Sequence, residues 1–296
     1  MSTFDFSYLK EDLQQIEKRL VQYGAKAIKN EVSLNELFVN HLASGGSRTR
    51  ALLALAAGQS LGLPKSLSLA IASSIELLHQ ASLIHDDVQD QDSLRRNRAA
   101  VWVVAGTSSA ICLGDELIGA AFGELAALPH PYSLELPRLI KMLSRAISIM
   151  AAGQTLDCKC ATHPQLSFED YEQIVKQKSG PLLGLPMAMT LAAAGGTDYE
   201  IGCILGGASS IGVAYQLADD LSDRAEDEGN RLNGFWVLKR CIPDGNDPEN
   251  VLRQRFGWHL RNARKSFESL PPFCIEAFNT LSSALYQKYP SFKEAA

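Results

Sequence analysis

The chain has 296 residues, with 28 Lys and Arg against 33 Asp and Glu, and its net charge of −5 excludes the basic face a nucleic-acid partner requires. A hydrophobic content of 46% and a charged content of 21% are those of an ordinary globular protein. No linker, low-complexity tract or composition shift divides the sequence, so residues 1–296 are expected to form one domain with a substantial core.

Residues 1–10 carry Asp5 and no apolar core, so they do not read as a secretory leader. Helical periodicity rich in Ala, Leu and Ile then runs through the whole chain, and no strand-like alternation persists. Glycine and proline break it at Gly45-Gly46, 62–64, 129–131, Pro164, Gly180-Pro181, Gly195-Gly196 and 243–248, leaving about ten predicted helices. Asp198 is placed to cap the helix after the double glycine. The expected fold class is all-α, a helical bundle with a central cavity.

Residues 179–197 and 201–218 are uncharged enough to raise the question of a membrane. Pro181, Pro186 and several glycines and serines interrupt them, so they read as helices buried inside protein, and no membrane span is expected. Cys112, Cys158, Cys160, Cys203, Cys241 and Cys274 lie mostly in apolar helical runs, as reduced, buried thiols of a cytoplasmic protein would. Cys158 and Cys160, with His163 nearby, lack the second ligand pair of a zinc site.

Two DDxxD motifs carry the chemistry. Asp86, Asp87 and Asp90 close one apolar run, and Asp219, Asp220 and Asp223 close another. Residues four apart share a helix face, so Asp86 and Asp90 project together, as do Asp219 and Asp223. Carboxylates concentrated at the end of an apolar helix repel one another and are costly to desolvate. A hard cation resolves that conflict, and Mg²⁺ takes carboxylate, water and phosphate oxygens. Two such clusters facing each other would clamp a diphosphate and stabilise it as a leaving group.

The basic residues agree with this reading. Arg95 and Arg96 follow the first cluster, with Arg98 close by, and Arg48 and Arg50 sit at a glycine turn that opens a helix. His79 lies two helical turns before Asp86, and Lys178-Ser179-Gly180 is expected to end a helix with a cation beside a hydroxyl.

Together these residues resemble the trans-isoprenyl diphosphate synthases, or polyprenyl synthetases. Residues 76–96 (ELLHQASLIHDDVQDQDSLRR) are similar to the family's first aspartate-rich region, and residues 214–223 (AYQLADDLSD) to its second. Gly114-Asp115, Gly153-Gln154 and Lys178-Ser179 stand at the family's places between them. The resemblance implies an isoprenoid-synthase fold, a homodimer, three Mg²⁺ ions, and ionisation of an allylic diphosphate before condensation with isopentenyl diphosphate. By it Asp86, Asp90 and Asp219 lead the metal ligands, supported by Asp87, Asp220 and Asp223. Arg95 and Lys178 hold the allylic diphosphate; Arg48, His79 and Arg96 hold that of isopentenyl diphosphate. Gln216, with Tyr215, lines the reacting centre, and Ser179 replaces the usual threonine.

Three departures from the family pattern bear on function. Ser47 stands in place of a lysine, Asn97 to Trp102 replace a Gly-x-Pro-Thr-x-His stretch, and residues 227–240 lack the flap's lysine and aspartate, with Asn230 about where the lysine belongs. A lost charge-assisted phosphate contact costs roughly 1.5–3 kcal/mol, which Arg50 or Arg98 is placed to offset. Ala81 and Ser82, small residues just before Asp86, predict a deep product pocket and twenty carbons or more, with Leu78 or Phe122 as candidate floors. Two alternatives are a divergent enzyme that cyclises the substrate or uses another acceptor, and a non-catalytic partner subunit of a heteromeric synthase.

Overall fold

The computed structural model describes residues 6–24, 33–128, 132–160, 165–229, 232–243 and 246–295. Asn230 and His163 lie outside them, as do residues 129–131 and Pro164, and the Cys160 side chain is likewise undescribed. The described residues form eleven α-helices. In chain order they are α1 (Lys10–Leu20), α2 (Leu34–Leu42), α3 (Thr49–Ser60), α4 (Lys65–Gln89), α5 (Val101–Ala126), α6 (Leu136–Cys160), α7 (Phe168–Ala193), α8 (Asp198–Asp223), α9 (Gly234–Cys241), α10 (Pro248–Phe267) and α11 (Pro272–Lys288). The expected all-α fold is present. Among the described residues the only strands form a two-residue antiparallel ribbon, β1 (Leu94–Arg95) with β2 (Arg98–Ala99), turned through Arg96 and Asn97 at positive φ.

Local sequence explains several helix starts. Ser33 and Glu36 form a capping box at α2, and Thr197 and Glu200 form another at α8. The cap of α8 is therefore Thr197, and Asp198 is its first helical residue instead of the expected cap. Threonine wins because its hydroxyl accepts the Glu200 N–H while Glu200 reaches back to Thr197. Asp247 caps α10, with Pro248 in the first turn where a missing N–H costs nothing.

The expected stop at Lys178-Ser179-Gly180 does not occur. Helix α7 runs through Pro181 and Pro186 to Ala193. Proline's fixed φ is compatible with a helix, and the cost of the lost hydrogen bonds is offset by burial of Leu182, Leu185, Met187, Met189 and Leu191.

The chain folds as two compact units, one of Phe6–Lys141 with Met189–Ala194, the other of Met142–Ala188 with Gly195–Ala296. In the first, α4 is the central helix, packed along α5 and against α3 and α1. Gly114 on α5 admits the imidazole of His85, since a Cβ there would lie 2.1 Å from Nε2. In the second, α8 packs along α10, with α9 and α11 beside them. Phe256, Phe267 and Phe292 are fully buried there.

Helices α4, α5 and α8 are long and apolar enough to cross a membrane by length and composition. Most of that surface on α4 is buried in protein, whereas only 28% of it on α5 is. Cys112, on α5, is exposed, as are Cys158 and Cys241, so of the free cysteines described only Cys274 is the buried thiol expected. An apolar helical run need not be covered on every side.

Candidate active site

Each DDxxD motif sits at the C-terminal end of a largely buried helix, α4 for the first and α8 for the second. Within each motif the three carboxylates have different environments. Asp86 and Asp90 are part-exposed and share a face, while Asp87, about 100° further round the helix, is 1% exposed. The Asp87 Oδ1 accepts from Arg95 Nε at 2.8 Å and from its Nη2. Burial raises the Asp87 carboxyl above its ordinary range, against the pull of Arg95. Among the described residues its buried Oδ2 has no hydrogen-bond partner.

The second motif repeats the pattern with other partners. Asp220 is 2% exposed and accepts from Tyr171 Oη at 2.6 Å, Gly234 N at 2.5 Å and Gln216 Nε2 at 2.7 Å. Burial pushes its carboxyl up to about 7 in spite of those three donors. Asn233 ties the same helix end together, donating to the Asp220 carbonyl at 2.8 Å and to Asp227 at 2.9 Å. Asp219 and Asp223 are less enclosed. Burial, then the charges of Asp219, Asp227 and Glu226, raise the Asp223 carboxyl.

Among the described residues, no three His, Cys, Asp or Glu side chains form a ready-made metal-holding group. The donor chemistry nonetheless fits Mg²⁺, which takes one or two carboxylates and completes its shell with water and phosphate oxygens. Asp86 with Asp90, and Asp219 with Asp223, supply such pairs, and the crowding of negative charge at Asp223 is what a cation relieves. Asp87 and Asp220, assigned above as supporting ligands, are engaged in anchoring the helix ends.

The cations expected to meet diphosphates are mostly paired with carboxylates. Arg95 holds Asp87. Lys178 pairs with Asp157 of α6, at a crossing so close that a Cβ on Gly153 would lie 2.6 Å from the Lys178 backbone N. Ser179 follows on α7, its Cβ facing Gly212 of α8. Arg48, in the left-handed region at φ 50°, is turned inward, 8% exposed. It lies 3.5 Å from buried Glu76 and 3.4 Å from the carbonyls of Gly45 and Leu42. Arg96 lies over Gly46 and donates to the Gly45 carbonyl. His79 Nε2 meets Arg50 Nη1 at 3.1 Å. Burial and the nearby Arg50, Arg96 and Arg48 hold His79 well below the usual histidine range, so it is neutral.

Tyr215 and Gln216 are part of the second motif, but their partners differ. Gln216 bonds Asp220, and Tyr215, 40% exposed, accepts from Lys288 at 2.6 Å. Leu78 and Ala81 are buried on α4, and Ser82 is half-buried with its hydroxyl on the His79 carbonyl at 2.8 Å.

Five residues of these half-sites were not singled out from sequence: Asp157, Tyr171, Asn233, Lys288 and Tyr289. Asp157 stands four residues after Gly153, on the same helix face, and that spacing was a usable signal. For Lys288 and Tyr289 no local signal exists, because they reach Asp219 from about seventy residues away.

The fold is that of the isoprenyl diphosphate synthases. A decaprenyl diphosphate synthase from Rhodobacter capsulatus superposes with a TM-score of 0.79 at 19% identity, covering 95% of this chain and 97% of that one. Residues 31–232 match the polyprenyl synthetase family, and the chain belongs to that family of prenyltransferases. An octaprenyl diphosphate synthase of Haemophilus influenzae is 27% identical over 72% of this chain, which spans 62% of that protein's length. A geranyltransferase from Helicobacter pylori, solved with magnesium and isoprenyl diphosphate, is 25% identical with a TM-score of 0.73, covering 97% of this chain and 99% of that one.

Proposed function

We propose that this chain is a Mg²⁺-dependent prenyl diphosphate synthase that condenses an allylic diphosphate with isopentenyl diphosphate to a trans product of twenty carbons or more. One observation carries the reading. Each DDxxD motif splits into a less buried pair and a buried anchor, Asp87 on Arg95 and Asp220 on Tyr171. That division fixes the helix end and assigns Asp86 with Asp90, and Asp219 with Asp223, to Mg²⁺, three ions being the number the family resemblance implies.

Bound Mg²⁺ supplies the electrophilic stabilisation of a departing diphosphate. Arg95 and Lys178 contribute fixed positive charge toward the allylic diphosphate, and Gln216 and Tyr215 line the reacting centre. Neutral His79, with Arg50 and Arg96, receives the acceptor diphosphate. Leu78, Ala81 and Ser82 set the chain-length pocket. The two units make one functional domain. The chain works as a cytoplasmic homodimer without a membrane span, an assembly that would cover the exposed Val103, Val104 and Ile111 of α5.

A second reading is supported by the acceptor side. Ser47 is no cation, and Arg48 is paired with Glu76, so an enzyme that ionises its substrate but cyclises it or uses another acceptor fits these residues. Product analysis with Mg²⁺, farnesyl diphosphate and labelled isopentenyl diphosphate separates the two. Labelled long-chain diphosphates support elongation, and diphosphate release without label supports the second reading. Asp86→Ala or Asp219→Ala is expected to abolish turnover with helicity unchanged. Near wild-type activity in either variant rejects the metal assignment.

A further inference from the structure

In the second carboxylate cluster Asp219 Oδ1 accepts two hydrogen bonds, as Asp220 Oδ2 does, but its partners come from residues 288 and 289. Lys288 Nζ donates to it at 3.0 Å, and Tyr289 Oη donates to the same atom. The ammonium also reaches Tyr215 Oη at 2.6 Å and lies 4.5 and 4.7 Å from the ring centroids of Tyr215 and Tyr289. The segment that delivers these groups is anchored independently of them. Phe292 packs at 4.6 Å on Phe256 of α10, Arg253 lies over the Phe292 ring at 4.7 Å, and Arg253 donates to the Ser291 carbonyl at 2.5 Å. Lys288 and Tyr289 lie beyond residue 232, where the family match ends.

We infer that Lys288 is the resident counter-ion of Asp219, and that a divalent cation coordinated by Asp219 Oδ1 must displace both its ammonium and the Tyr289 hydroxyl. The inference rests on the proposed role of Asp219. An oxygen that already accepts two hydrogen bonds has no lone pair left for a metal, and two cations on one carboxylate repel. The Lys288 side chain is 49% exposed, so it can leave the carboxylate for water while the aromatic anchor stays in place. The C-terminal segment thus sets how readily the second cluster loads, with Lys288 and Tyr289 as positioning residues for Asp219.

The test is Mn²⁺ binding to the full chain without substrate, followed by the electron paramagnetic resonance signal of free Mn²⁺. Lys288→Met is expected to tighten Mn²⁺ binding roughly threefold to tenfold, the order of an exposed ion pair with its cation–π contacts. Tyr289→Phe, which changes no charge, is expected to tighten it less, and Lys288→Arg to leave it near wild type. Unchanged or weaker binding in Lys288→Met, with binding reduced in Asp219→Asn, overturns this inference alone. Binding unaffected by Asp219→Asn overturns the role of Asp219 and the inference with it.

Discussion

Replacing Glu172 by glutamine removes the carboxylate charge that pairs with Arg255. Glu172, on α7, is 3% exposed and takes a two-pronged contact from Arg255 of α10, Nε to Oε1 at 2.8 Å and Nη2 to Oε2 at 2.5 Å. His259 Nε2 donates to Oε1 at 2.9 Å. Burial lowers the His259 pKa, against the pull of Glu172. Burial works to raise the Glu172 carboxyl, but His259 and Arg255 outweigh it and hold it down from 4.5 to about 2.

At roughly 1.4 kcal/mol per tenfold change in proton affinity, that displacement stabilises the fold by about 3 kcal/mol. The folded pKa is depressed, so the contribution is fully present above pH ~4.5, the unfolded value, and drains as pH falls toward ~2. Glutamine imitates the protonated acid. Urea unfolding followed by circular dichroism should therefore show Glu172→Gln less stable by about 3 kcal/mol at pH 7 and by roughly half of that at pH 3. A deficit below about 1 kcal/mol at pH 7, or one that does not narrow at pH 3, refutes the reasoning. Tyr171 adjoins Glu172 and holds Asp220, so the variant should also lower turnover.

Three further predictions concern the site. Ser82→Phe places an aromatic four residues before Asp86 and is expected to shorten the product; high-performance liquid chromatography showing an unchanged length distribution would reject the pocket assignment. Ser47→Lys, in an exposed turn, restores a phosphate cation and should lower the KM for isopentenyl diphosphate about tenfold; a KM that does not move argues for a different acceptor. Gly153→Ala sets a methyl 2.6 Å from the Lys178 backbone, and should cost about 1–3 kcal/mol by overpacking and raise the KM for the allylic substrate. Wild-type melting and kinetics would show that this crossing does not position Lys178.

What the sequence by itself determined is local and periodic. The DDxxD spacing places Asp86 with Asp90 and Asp219 with Asp223 whatever the rest of the chain does, because four residues make about one helical turn. The apolar runs ending at those aspartates, the capping boxes around Ser33 and Thr197, and the family of the chain follow from the same short-range order. Local signals misled where burial outweighed them: Pro181 and Pro186 marked an end that the packing of α7 overrides.

Only the tertiary structure decided which member of the second motif is the anchor, since that depends on partners distant in sequence, whereas Asp87 of the first meets Arg95 in the ribbon just after its helix. Asp220 meets Tyr171 and Gly234, Lys178 meets Asp157, and Asp219 meets Lys288. No spacing rule encodes such contacts. They exist because packing apolar helices brings a few polar side chains together out of water, where each must find a partner or bear the cost of desolvation. That requirement turned Arg48 inward to Glu76.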